Sequence, residues 1–458
     1  MAHATKTTFA RFGLFCLLLA GCGRKEPAAA PSAAAPAAAA AAMPAHDISF
    51  IDDDYELART LASERKLPLF VDVWASWCHT CLSMRSYVFP DPRMRALSDR
   101  FVWLAIDSER AGNAAFLERF PARNLPTLWV IDPGSQRALL KWIGAATPQE
   151  LSEVLEDAAG GSQPSAAGEA SALWVRANRA SASGEAEQAL QLYQQALAKG
   201  GAGWNKRPRA LEALSMRLYE LGKRREIFEL ALREAPNMPP ATALVNVLIN
   251  GLDAAAELKP EFTGPGLPGL IARATALARD ATAPVLFDDR SSLYLSLVEV
   301  LKPSQPDESK RLAREWSERL DAEAARARSP AARRVWDPHR VEAYLAIGEA
   351  GKALPMLQQS ANEVPEDYNP PARLARVYLS LGDLPPAQRE IDRALSLSDG
   401  PRKLRLYQLK ADIAIAAGDR SAARSALSAA LKFAEDNRLA PQYDKLRQAI
   451  ERRLQELS

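Results

Sequence analysis

Cys78 and Cys81 lie with two residues between them in the run Trp74-Ala75-Ser76-Trp77-Cys78-His79-Thr80-Cys81, directly after the apolar segment Leu69–Val73. A Cys-x-x-Cys pair where a strand hands over to a helix reads as a redox dithiol. The thiolate is the reactive form, and a free cysteine, with a pKa of about 8.5, is mostly protonated at neutral pH. A helix N-terminus aims unpaired N–H groups and the positive end of its dipole at the first sulfur, which favours the thiolate there. Cys78 is therefore expected to attack, and Cys81, one turn further in and less exposed, to resolve the mixed disulfide. Two other uses of the pair stay open. A purely stabilising bridge gains little over so short a loop. A zinc site needs more ligands than His79, and His3, His46 and His339 are scattered along the chain. Neither a metal nor a cofactor is expected.

The elements that must hold this pair follow from apolar spacing and turn residues. The pattern predicts strand 48–51, helix 55–65, strand 69–74, a helix from Cys78 towards Val88, and a short helix at 93–100. Strand 102–106, helix 114–120 and strand 127–131 follow. A turn at Asp132-Pro133-Gly134-Ser135 leads to strand 139–143 and a closing helix 149–158. Strands alternating with helices and ending in a hairpin predict a mixed sheet covered by helices on both faces. Asp72 interrupts an otherwise apolar strand. Either it faces water, or it is buried with a raised pKa and is there for its proton.

In this order the residues resemble thioredoxin. Val71-Asp72-Val73-Trp74-Ala75-Ser76-Trp77-Cys78 is similar to the family's strand and active-site entry. Leu125-Pro126-Thr127 is similar to its cis-proline segment, and Trp142-Ile143-Gly144-Ala145 with Gln149-Glu150-Leu151 to its last strand and helix. The likeness runs from about Ile48 to Ala158. Tyr87-Val88-Phe89-Pro90-Asp91-Pro92 looks more like one branch, the periplasmic C-terminal domain of DsbD-type transmembrane thiol–disulfide reductases.

The resemblance implies site roles. Asp72 would accept and return the proton of Cys81 during exchange. Pro126 would be cis beside the dithiol, leaving the Leu125 backbone to pair with an extended client strand. Trp77 would form part of the contact rim or serve as ordinary packing. The lysine that thioredoxins place near the acid is absent, because Trp103 occupies its position. As an imidazolium, His79 would stabilise the thiolate and make the pair more oxidising; as a plain surface residue it would do neither. His79-Thr80 therefore leaves the direction of exchange open, and the DsbD-like context points to reduction.

The first 46 residues bear on location. Lys6 and Arg11 precede the apolar run Phe12–Ala20, which is too short to span a bilayer and ends in Leu19-Ala20-Gly21-Cys22. That tetrapeptide resembles the bacterial lipobox, so residues 1–21 are expected to be a lipoprotein signal peptide and Cys22 the acylated residue. Gly23, rather than Asp, follows the cysteine, which favours the outer membrane facing the periplasm. Residues 22–46, rich in Ala and Pro, make an anchored linker that cannot bury a core.

Net charge is +2 for the whole chain, and residues 47–157 carry 17 acidic against 12 basic side chains. No basic footprint results, and nucleic acid is not an expected partner. Composition shifts at Gly160-Gly161-Ser162-Gln163-Pro164-Ser165, so 47–159 is read as the α/β thioredoxin-like domain and 160–170 as a linker.

Residues 171–458 are read as an all-α solenoid. A small-residue pattern repeats: Gly184, Ala189, Ala196; Gly348, Ala353; Gly382, Ala387, Ala394; Gly418, Ala423, Ala430. Gly348 to Gly382 is 34 residues and Gly382 to Gly418 is 36. This period and these residue types resemble the tetratricopeptide repeat. Between Ala241 and Val335 helices are expected without a clean repeat. Arg373, Arg376, Arg389 and Arg393 are read as a solvated helix face.

These readings converge on a lipid-anchored periplasmic thiol–disulfide oxidoreductase that reduces disulfides of client proteins. Its repeats would recruit clients or partners, and a membrane thiol–disulfide reductase would serve as electron donor. Two alternatives remain: a docking or assembly lipoprotein whose thioredoxin domain is mainly structural, and a disulfide oxidase or isomerase using the same pair.

Overall fold

Alternate side chains of Leu69–Trp74, Val102–Asp107 and Thr127–Ile131 turn to opposite faces of one sheet, as a period of two requires. The computed structural model describes residues 47–159, 168–258, 264–440 and 443–457. Its strands are β1 (Ile51–Asp52), β2 (Leu69–Trp74), β3 (Val102–Asp107), β4 (Thr127–Ile131) and β5 (Ala138–Ile143), in the spatial order β1-β3-β2-β4-β5. β1 and β2 run parallel to β3, whereas β4 is antiparallel to both β2 and β5.

Helices cover both faces. Leu69, Val71, Val73, Trp129 and Ile131 pack against α1 (Tyr55–Arg65) and α4 (Ala114–Arg119). On the other face, Phe70, Trp103, Leu128 and Val130 meet Met84 and Val88, which follow α2 (His79–Ser83). They also meet α3 (Pro92–Arg95) and α5 (Pro148–Ala159). Two expected elements shift. The first strand is Ile51–Asp52 rather than 48–51, because only Ile51 and Asp52 pair with β3 while Ile48 and Phe50 turn into the core. The helix expected at 93–100 divides into Pro92–Arg95 and a 3₁₀ turn at Ser98–Arg100.

Everything described beyond Gly168 is helix and short turn. Helices 169–182 and 186–200 form a hairpin, as do 207–220 and 224–234, 337–347 and 353–363, 369–381 and 384–397, and 403–416 and 420–436. Just beyond the first helix of each pair, Gly184, Gly222, Gly348, Gly382 and Gly418 take φ of 79, 71, 77, 74 and 76°. This left-handed conformation suits glycine and closes the helix by turning the backbone back on its last carbonyls. Ala189, Ala196, Ala353, Ala387, Ala394, Ala423 and Ala430 are all fully buried, which lets paired helices approach closely.

The α/β half and the helical half belong to one compact unit. Thr242 Oγ1 donates to Glu150 Oε2 at 2.8 Å and Arg209 pairs with Glu150 at 2.8 Å, while the Arg209 guanidinium lies 4.0 Å from the Trp142 ring. Tyr87 donates to the Ala332 carbonyl at 3.0 Å and stacks on Trp336. Of the four arginines read as a solvated face, Arg376 and Arg389 are exposed, with Arg376 paired to Glu342. Arg373 departs from that reading: burial lowers its pKa, opposed by the nearby charges of Asp337 and Asp367.

The expected signal peptide, the acylated Cys22 and the linker at 22–46 lie outside the described residues, as does most of the 160–170 linker. Among the described residues, no helix is long and apolar enough to cross a membrane.

Candidate active site

β2 ends at Trp74, and the chain turns through Ala75-Ser76-Trp77 to place Cys78 as the N-cap of α2. Its backbone is extended, its N–H is held by the Ala75 carbonyl at 3.1 Å, and its Sγ accepts the Cys81 N–H at 3.1 Å. The sulfur thus occupies the position where a capping oxygen would satisfy the first turn. Cys78 and Cys81 are joined in a disulfide, with Cys78 5% exposed and Cys81 fully buried. Beyond Ser83 the helix widens into a π turn, Met84–Val88, a distortion that often accompanies functional sites.

The Leu125–Pro126 peptide is cis, and Leu125 packs with Trp74, Trp77, Ala75 and the two cysteines in one small cluster. The strand entry with its dithiol and the proline segment are therefore brought together from two separated stretches of chain. Among the described residues, no group of three or more His, Cys, Asp or Glu side chains is placed to hold a metal ion.

Asp72 is fully buried on the middle strand of the sheet. Removal from water pushes its carboxyl up to about 6, and the Arg85 cation opposes that rise. Arg85 Nε lies 3.1 Å from Asp72 Oδ2, while Oδ1 has no hydrogen-bond partner among the described residues. The same guanidinium sits 3.7 Å from the Trp74 ring centroid, an attractive cation–π placement. A group titrating near 6 exchanges protons readily around neutral pH, as a general base for a thiol should.

Arg85 is the residue that sequence reasoning missed. The family's lysine position is filled by Trp103, which packs 4.7 Å from Phe70, and the cation arrives instead from the π turn. The available signal was compositional: Arg85 is the one lysine or arginine between Lys66 and Arg93.

The remaining expected site residues meet the helical half. Trp77 packs against the cluster containing Tyr368 and Leu406, with the Arg402 guanidinium 4.6 Å from its ring. His79 is partly buried; its Nε2 lies 3.4 Å from both Asp288 Oδ1 and Ser292 Oγ, and 3.2 Å from Thr80 Oγ1. Its ring centroid is 3.8 Å from that of His339, which is held by Ser291 at 2.6 Å. Burial and the neighbouring His79 keep His339 well below its usual pKa, hence neutral at pH 7. Burial raises Asp288, opposed by His79 and Thr80. His79 is thus a contact between the two halves as well as a neighbour of Cys78.

Comparison with known proteins places the α/β half. Residues 50–133 match the family described as Thioredoxin-like. The chain is 34% identical over 82 residues to the thiol:disulfide interchange protein DsbD of Pseudoalteromonas atlantica, covering 18% of this chain and 14% of that protein. It is 33% identical over 96 residues to DsbD of Salmonella paratyphi A, covering 20% and 17%. The chain therefore spans about a sixth of the length of these relatives. A tetratricopeptide repeat protein from Parabacteroides merdae aligns in structure with 62% of this chain and 98% of its own, at 14% identity and a TM-score of 0.40.

Proposed function

We propose that the chain is a thiol–disulfide oxidoreductase that reduces disulfides of client proteins through Cys78 and Cys81. One observation carries the reading: the bonded pair caps a helix beside a cis-proline segment, with a buried acid titrating near neutrality on the adjoining strand. In the reduced protein the Cys78 thiolate attacks one client sulfur. A Cys78–client bond forms, and the second client sulfur leaves as a thiolate and takes a proton from water. Cys81 then yields its proton to the Asp72 carboxylate and attacks Cys78 Sγ, releasing the first client sulfur. Two electrons pass to the client, and the chain is left with the Cys78–Cys81 bond seen here.

A separate dithiol must return those electrons, and a membrane thiol–disulfide reductase suits the role. Lipid attachment at Cys22, residence in the periplasm and sorting to the outer membrane belong to the same proposal; the lipobox-like Leu19-Ala20-Gly21-Cys22 supports them. Recruitment of clients or partners by the helical half is also part of it.

The test is a Cys81→Ser trap in cells. Without the resolving thiol, mixed disulfides through Cys78 should accumulate and vanish on reduction. A trap that stays empty while the protein is expressed and folded would leave the docking-lipoprotein reading standing instead.

A further inference from the structure

The residues on both sides of Cys78 are fastened to the helical half. Asn369 Nδ2 donates to Ser76 Oγ at 2.9 Å, Trp77 lies between the Tyr368–Leu406 cluster and Arg402, and His79 faces Asp288, Ser292 and His339. Leu82, one residue past Cys81, packs into the core of the helical half. On the next loop Glu109 accepts a hydrogen bond from Tyr368 Oη at 3.1 Å. The backbone also approaches tightly at Gly400: a Cβ there would lie 2.6 Å from Glu109 Cβ and 2.8 Å from its Oε2. Only hydrogen fits, although Gly400 lies in the turn between helices 384–397 and 403–416 and its φ places no demand for glycine.

The consequence concerns access. An incoming disulfide must bring a sulfur to bonding distance of Cys78 Sγ, and the rest of the client must fit outside it. With Cys78 5% exposed, and Asn369, Arg402 and His339 around its flanking residues, little room is left for a folded protein. We propose that the helical half is the outer wall of the dithiol site and sets which disulfides reach Cys78. Small disulfides and thiols pass the closed wall, and protein disulfides are admitted only when the contacts at Ser76, Trp77, His79 and Glu109 let go. Asn369, Arg402 and Gly400 are then specificity-determining residues of the exchange. The proposal rests on the reading of Cys78 as the attacking sulfur. It deepens that reading by naming what selects the substrate.

The test measures access rather than turnover. Full-length protein is reduced and treated in parallel with iodoacetamide and with a maleimide carrying a polyethylene glycol chain, and modification at Cys78 is followed by peptide mass. Gly400→Leu drives a wedge against Glu109. Asn369→Ala combined with Arg402→Ala removes the ties to Ser76 and Trp77 without adding bulk, and it carries the test should the wedge cost the protein its helical circular dichroism. The bulky probe should react on the order of tenfold faster in the wedge variant, and in the same direction but less in the paired variant, as expected when a local opening is eased. Iodoacetamide should gain only about twofold or less, as an already accessible reaction does. If the bulky probe modifies the unaltered protein as fast as both variants, the wall does not exist. A client-reduction assay on the same samples separates the two claims. Opening that speeds the bulky probe in a protein that reduces nothing overturns the reductase reading and leaves the wall. Reduction of protein disulfides at an unchanged rate in folded Gly400→Leu overturns the wall and leaves the reductase.

Discussion

Replacing Arg85 with Met removes the one cation held against Asp72 while keeping a long side chain over Trp74. Asp72 now sits near 6, raised by burial and held down by Arg85. An arginine beside a carboxylate typically lowers its pKa by about 1–3 units. The Arg85 side chain is 27% exposed, so water screens part of its charge and the lower half of that range applies. Without it, Asp72 should titrate at roughly 7–8. At pH 7 the ionised fraction then falls from roughly nine-tenths to between about one-half and one-tenth. With the carboxylate taking the Cys81 proton as proposed above, resolution of a Cys78–client mixed disulfide should slow by about two- to tenfold at pH 7. The deficit should vanish near pH 9, where the acid is ionised in both proteins. Rapid-quench measurement of mixed-disulfide decay from pH 5 to 9 reads the shift directly, and Arg85→Lys should restore most of it. A Met variant whose profile moves by less than about half a unit would mean that Arg85 does not govern this proton.

The same acid makes a prediction about stability. Its folded pKa of about 6 lies above the unfolded value of about 3.9, so between those pH values the folded state binds more protons. Stability contributed by the protonated form is complete below pH 4 and is lost as pH rises through 6. By linkage the loss reaches about 3 kcal/mol at pH 7. Asp72→Asn should therefore raise stability at pH 7 by up to that amount in denaturant titrations while slowing exchange; a variant less stable than the parent at pH 7 would contradict the assignment. Gly382→Ala forces a side chain into φ of +74° with nothing within 4 Å of the new Cβ, so strain alone should cost about 1 kcal/mol. Melting of the full chain at matched pH checks this, and no loss of stability would refute the cap.

Much of the α/β half was legible because each face of its sheet is buried. Helix Tyr55–Arg65 and strands Leu69–Trp74 and Thr127–Ile131 lie at the expected bounds, where apolar runs and turn residues agree. The contact of Leu125 with the two cysteines was visible only through the resemblance to a family, since spacing alone does not bring residue 125 beside residue 78. Arg85 stayed hidden because its reach to Asp72 depends on a π turn, for which the sequence carries no marker. In the helical half, the pairs whose first helix closes on Gly184, Gly348, Gly382 or Gly418 were legible, whereas the one closing on Gly222 was not singled out. From 242 to 326 the period disappeared because the helices end at Leu258, Asp280, Lys302 and Ala327, none of which is glycine. Asp288 and Asp289 lie in the first turn of helix 287–301 and are both buried, which no local pattern marks. The contact between the halves joins residues as distant as Ser76 and Asn369, a separation at which no local pattern operates.

The central claim is that the Cys78–Cys81 bond opens and closes in use. Equilibrating the full-length protein against graded thiol–disulfide buffers, and counting free thiols, tests it most directly. A reversible two-electron transition near roughly −270 mV is the expected result, and one near roughly −120 mV would turn the direction of exchange round. A bond that stays closed below about −300 mV, or never reforms once opened, would mark it as structural and contradict the account.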